Sequence, residues 1–194
     1  MRLLGRVKTR AMRTLWLLEE LGEPFEWVEV APQSEAARAV SPLGKVPVLV
    51  TDEGPIFDSV AQMTYLADRA GRFTHPPGSY ARARQDGLTN TINETFDAVL
   101  WAYAKHSFVL PEDRRVPEVK DSLRWQFGRY AEVMAEILGD GPCLTGDDAV
   151  IPDFLLAHCC AWAGGLSFDL PDALRDHMNA MRARPAFRRA AAYG

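Results

Sequence analysis

Cysteine is missing from the first 142 residues of this 194-residue chain, and no Cys-x-x-Cys pair occurs anywhere in it. That argues against dithiol exchange of the thioredoxin type. The three cysteines, Cys143, Cys159 and Cys160, are an odd number without framework spacing, which fits a reducing compartment rather than a secreted disulfide scaffold. No apolar run approaches the ~18 residues of a membrane span. Charge is also unremarkable: the formal net charge is −4 and neither half is a polycation, so nucleic-acid binding has no electrostatic footprint. Metal-binding spacing is lacking too. His158, Cys159 and Cys160 are consecutive on an apolar helical run and cannot converge on one ion, and His75, His106 and His177 stand without companions. There is no internal repeat and no low-complexity tract.

Five basic and no acidic residues fall in "MRLLGRVKTRAMRTLWLL", a composition shared with organelle transit peptides. Gly5 interrupts a continuous helix there, and the run passes into "LLEELG" without a linker. The expected location is cytoplasmic.

The rest of the first 75 residues alternates between two kinds of pattern. "RLLG" (2–5) suits a short strand. "TRAMRTLWLLEELG" puts Ala11, Leu15 and Leu18 on one helical face, with Thr9 as the expected N-cap and Gly22 as the stop. "FEWVEV" (25–30) reads as a strand, "SEAARAV" (34–40) as a short helix ending before Ser41-Pro42, and "VPVLV" as a strand. The turn "TDEGP", a brief strand at Ile56-Phe57 and a helix over "DSVAQMTYLADRAG" follow, the helix expected to start with a Ser59/Gln62 capping box. The order β-α-β-α-β-β-α makes the first two strands parallel and the last two antiparallel. The fold class is therefore an α/β thioredoxin-like domain with a four-stranded mixed sheet.

"THPPGSYARA" marks a boundary, after which only helical periodicity appears: 80–107, 116–138, a nearly all-apolar 151–166, and 171–192 broken near Pro185. The expected division is a thioredoxin-like domain over 1–75, a linker over 76–83 and an all-helical bundle over 84–194. A small α/β unit followed by a helical one, with an aromatic-rich helix between, points to a ligand bound between the domains.

Three elements of the α/β part suit one another. Helices 9–21 and 59–71 begin at the carboxyl ends of their strands, where free N–H groups and the helix dipole favour an anion, and Arg6, Lys8 and Arg10 add positive charge at the first. Asp58 and Ser59 read either as plain helix caps or as a pair that takes an ammonium and a carboxylate. Pro47, with no N–H to give a ladder, reads either as a strand-starting trans proline or as a cis proline leaving the backbone of Val46 open to an extended peptide.

The runs "RTLWLLEELGEPFEW", "SPLGKVPVLV", "IFDSVAQMTYLADR" and "MRARPAFRRA" resemble a bacterial cytosolic glutathione transferase over essentially the whole chain. The resemblance implies a cis Val46–Pro47 bond, backbone pairing of Val46 with the cysteinyl part of glutathione, Asp58 and Ser59 at the γ-glutamyl end, and Lys45 near the glycyl carboxylate. It also implies a homodimer and a detoxification-type transferase, in which the glutathione thiolate attacks a small hydrophobic electrophile. Trp101, Tyr103 and His106 are candidate walls for that second substrate, and each equally suits the core. Glutathione is the only cofactor expected, as co-substrate, with no metal, nucleic acid or membrane partner. The alternatives are a glutathione-dependent disulfide or peroxide reductase, an isomerase, or a non-catalytic interaction protein.

Two departures from the family pattern stand out. "RVKTR" puts Arg6 where relatives commonly carry the catalytic hydroxyl or thiol residue, leaving Thr9 and Arg6 as candidates for holding the thiolate. Val150 also stands where the central helix of the bundle would have a capping Ser or Thr, with Asp153 three residues on.

Overall fold

The computed structural model describes residues Met1–Gly194 and divides into two compact units, Met1–Pro76 with Arg182–Gly194, and Pro77–Met181. In the first, β1 (Arg2–Gly5), α1 (Ala11–Leu21), β2 (Glu26–Glu29), α2 (Glu35–Val40), β3 (Val48–Thr51), β4 (Gly54–Phe57) and α3 (Ser59–Ala70) follow in the expected order. The sheet runs β2-β1-β3-β4, with β1 and β2 parallel and the other two pairings antiparallel. Strand alternation splits its side chains between two faces. Leu4 and Val48 join Val30 and Ala37 of α2 in one buried cluster. Their neighbours Leu3 and Leu49, paired across β1 and β3 and both fully buried, point to the opposite face. There α1 and α3 supply Leu15, Leu18, Met63 and Leu66.

Two helix starts differ from the sequence expectation. Helix α1 begins at Ala11, with Arg10 in the N-cap position and no side-chain cap. Thr9 instead closes the preceding turn: its hydroxyl donates to the Arg6 carbonyl at 2.6 Å and accepts from Ala11 N–H at 3.2 Å. Helix α3 is capped by Asp58, not Ser59. Asp58 takes φ 67°, which aims its carboxylate at the N–H groups of Val60 (2.8 Å) and Ala61 (3.1 Å). A carboxylate there also meets the positive end of the helix dipole, so the serine is left as the first helical residue. Gly22 and Gly71, in the left-handed conformation, end α1 and α3 as expected.

The chain terminus also departs from the expected division. Helix α9 (Pro185–Ala191) and the residues after it belong to the first unit. Phe187 packs edge-on against Trp16 with centroids 4.9 Å apart, and Arg184 donates to the Glu20 carboxylate, with Nη2 at 2.9 Å. Arg189 and Tyr193 both reach Glu19, and the Tyr193 ring meets Phe25 and Trp27. These partners are more than 160 positions away in sequence, beyond the reach of local periodicity.

The regular elements of the second unit are all helices: α4 (Tyr80–Ile92), α5 (Ala98–Ala104), α6 (Val119–Leu138), α7 (Ile151–Gly165) and α8 (Asp172–Ala183), whose last two residues fall in the first unit. Ser79 caps α4 by accepting from Arg82 N–H, so the helix starts inside the expected 76–83 linker. The long helix read over 80–107 is a continuous helical run to Val109, widened to π-helical turns at Asn93–Asp97 and at its end over Lys105–Val109. Helix α7 is the buried centre, with Phe154, Leu155, Leu156, Ala157, Cys159 and Cys160 all inaccessible. Phe96, Phe127 and Phe168 stack edge to face beside it at 5.0 and 4.9 Å. Ile137, in the last turn of α6, is exposed.

Candidate functional site at one end of the sheet

The register of the sheet brings the sequence candidates of the first unit together. Leu4 of β1 pairs with Val48 of β3, and Val48 pairs with Phe57 of β4. The residues just past this row are therefore Gly5-Arg6 on one strand, Pro47-Val46 on the next and Asp58-Ser59 on the third. Three segments separated by some forty and ten residues in sequence end at one edge. Gly5 makes the first of them compact: a Cβ there would lie 2.4 Å from that of Ala11, so only glycine lets α1 start this close to β1.

The Val46–Pro47 peptide bond is cis. The ladder of β3 starts at Val48, which leaves the Val46 backbone outside it. Pro47 is buried, Val46 half-buried, and Lys45 exposed with its backbone N–H on the Ser41 hydroxyl at 3.2 Å.

A residue read only as half of a capping box holds this edge in place. Gln62 is fully buried; its Nε2 donates to the Pro47 carbonyl at 3.1 Å and to the Ile56 carbonyl at 2.8 Å. Its Oε1 accepts from the Thr14 hydroxyl at 2.7 Å. One amide thus ties α1, the segment before β3 and the end of β4, with both N–H groups satisfied. Arg13, in the same helix as Thr14 and only 1% exposed, donates through Nη1 to Ser59 Oγ at 3.3 Å. A basic residue in an amphipathic helix reads as a solvated face, and only its non-local partner reveals Arg13. For Gln62, the polar side chain amid the stripe of Met63 and Leu66 was the available signal.

The two catalytic candidates stand differently. The single hydroxyl proton of Thr9 is directed to the Arg6 carbonyl. The Arg6 side chain is about half exposed and sits 3.6 Å from an exposed Glu29 carboxylate, a pairing that solvent makes weak.

The second-substrate candidates belong to the helical unit. Tyr103 on α5 receives a 2.7 Å bond from Arg124 Nη2 on its hydroxyl and stacks on Phe168 at 4.9 Å. His106 Nδ1 accepts from Val116 N–H at 3.1 Å, and Trp101 is half-buried on α5. Burial pushes the Cys160 thiol far up, which makes it inert as a nucleophile.

Asp153 forms a second polar hub in that unit. It is fully buried, accepting from Leu144 N–H at 2.8 Å and Val150 N–H at 2.9 Å, the latter being half of a capping box. His177 Nε2 lies 3.7 Å from it without a hydrogen bond, while Nδ1 is 3.1 Å from the Pro142 carbonyl. Burial raises the Asp153 carboxyl above its ordinary range, against the pull of the two backbone donors and His177.

A four-stranded mixed sheet flanked by helices, followed by an all-helical region, defines the glutathione S-transferase fold, with its thioredoxin-like amino-terminal domain. The comparisons agree. Residues 9–69 match the family model described as the glutathione S-transferase N-terminal domain. The matched stretch, and with it the amino-terminal domain, is of the glutathione S-transferase type.

Among curated proteins, hematopoietic prostaglandin D synthase of Gallus gallus is 26% identical over 171 residues, covering 85% of this chain and 78% of that protein. Among solved structures, the chain resembles the bacterial GST BphK in a ternary complex, with a TM-score of 0.88, 23% identity and coverage of 98% and 97%. A sphingomonad glutathione S-transferase complexed with glutathione gives 0.85, 23%, 98% and 96%. The theta class enzyme of Xanthomonas axonopodis pv. citri with glutathione bound gives 0.81, 24%, 97% and 95%. These likenesses carry the fold. No helix is long and apolar enough to cross a membrane.

Proposed function

We propose that the chain is a glutathione transferase that binds the tripeptide at the sheet edge formed by Arg6, Val46–Pro47 and Asp58–Ser59. The observation that carries this reading is the register Leu4–Val48–Phe57, which puts an unpaired backbone segment, a helix start and a cationic turn side by side. Each suits a different part of glutathione. The backbone of Val46 pairs with the cysteinyl residue as an added strand would. Ser59 takes the γ-glutamyl carboxylate at the start of α3, Asp58 the γ-glutamyl ammonium, and Lys45 the glycyl carboxylate.

The thiol is then directed toward the turn before α1. Cationic surroundings and a helix start lower a thiol pKa from about 8.5 into the range of roughly 3.5–7.5, which raises the thiolate fraction at neutral pH. Arg6 is the favoured source of that field, since the Thr9 proton already serves the Arg6 carbonyl. The thiolate attacks an electrophilic carbon, a C–S bond forms, and the leaving group departs with the electron pair. Trp101, Tyr103 and His106 are the proposed wall for an apolar electrophile, and the working assembly is a homodimer in a reducing, cytoplasmic setting.

Retention on a glutathione column followed by conjugation of a halonitroarene tests the reading. Retention with conjugation is expected. Failure to bind would remove the glutathione site, and binding with disulfide reduction but no conjugation would replace transferase by reductase.

A further inference from the structure

We propose that Arg13 is a positioning residue for carboxylate capture, acting by fixing the direction in which the Ser59 hydroxyl donates. The inference rests on the glutathione reading of this edge and deepens it. Ser59 is 2% exposed and Arg13 is 1% exposed, so their 3.3 Å contact is dry. A guanidinium has five donors and no acceptor, so Ser59 Oγ is the acceptor and its own proton cannot return to Arg13. A serine in a helix commonly gives that proton to the carbonyl three or four residues back. Ser59 is the first residue of α3, and the residues three and four back, Ile56 and Pro55, lie on β4 and not in a preceding helical turn, so that helical back-bond is not formed.

The neighbouring donors are committed. Asp58 occupies the N–H groups of Val60 and Ala61 through its carboxylate and that of Gln62 through its carbonyl, at 3.0 Å. The Ser59 O–H and N–H therefore remain as two donors of one residue at the helix start, with the buried cation behind them. Two donors from one residue fit one carboxylate, and in glutathione that group is the α-carboxylate of the γ-glutamyl residue. Arg13 touches no part of the ligand. It converts Ser59 from a rotating hydroxyl into an oriented donor, and by polarising Oγ strengthens the bond it gives.

A double-mutant cycle read by calorimetry tests this with two probes, glutathione and γ-aminobutyryl-cysteinyl-glycine, which lacks that α-carboxylate. Arg13→Lys is expected to raise the Kd for glutathione about fivefold, the scale of one misdirected hydrogen bond. The same change in a Ser59→Ala background is expected to add nothing. The decarboxylated tripeptide should bind wild type and both single variants equally. Should the lysine variant be unstable, Arg13→Gln provides the same cycle. Losses that add across the two positions, or a Kd for the decarboxylated probe that rises in step with that for glutathione, would show Arg13 to be purely structural. A wild-type chain that binds neither tripeptide overturns the glutathione reading and this inference together.

Discussion

Each unit of the chain is organised by one fully buried polar side chain, and the two are built on opposite principles. Gln62 is neutral, and its carbonyl and both of its amide hydrogens are matched by partners from three segments. Asp153 is ionisable, holds two loop N–H groups, and faces a histidine nitrogen that has no hydrogen bond. A neutral hub costs little to bury once its hydrogen bonds are made, whereas a buried carboxylate is expensive and shifts its proton affinity instead. The neutral hub stands under the edge proposed to bind ligand, where a fixed backbone is needed at every working pH. The ionisable hub pins the 139–150 segment, where only folding depends on it.

The largest effect is expected from Asp153→Ala. It strands two buried N–H groups beside His177, and should lower unfolding free energy in urea by about 3–5 kcal/mol while leaving the glutathione Kd of the folded protein unchanged. A rise in that Kd would erase the contrast between the hubs. Next comes Gln62→Ala, which frees Pro47, Ile56 and Thr14 at once. About 2–3 kcal/mol of stability should go, and the glutathione Kd should rise about tenfold or more. Loss of stability without loss of affinity would make both hubs structural.

A smaller shift is expected at the thiol. Arg6→Gln should raise the pKa of bound glutathione by about one unit, and Thr9→Ala should change it by less, read from thiolate absorbance. The reverse ranking would return the catalytic role to Thr9. The smallest effect concerns pH. A carboxyl raised in the folded state contributes stability that is fully present below its ordinary value near 4 and is lost as pH rises through the elevated one. Denaturation midpoints should therefore fall over that window in the wild type, and Asp153→Asn should flatten the slope. Gln62→Glu, placing a carboxyl in the neutral hub, should create a similar slope where none exists.

Much of the first unit was legible because its signals are local. Gly22 and Gly71 stop their helices, Ser34 caps α2 by accepting from Ala37 N–H at 3.2 Å, and branched residues mark the strands. The adjacent caps Asp58 and Ser59 were not separable, since both are good capping residues and only φ at Asp58 decides between them. Arg13, Gln62 and the terminal segment 182–194 act through partners tens to over a hundred residues away, which periodicity does not encode. The candidate edge was readable in its parts, as "RVKTR", "KVP" and "FDS". Their convergence needed the pairing register.

Backbone amide shift mapping during a glutathione titration tests the central claim most directly. The largest changes are predicted at Val46, Lys45 and Ser59, with smaller ones at Arg6 and none at Asp153 or His177. An absence of shifts, or shifts that spare Val46 and Ser59, would contradict the account.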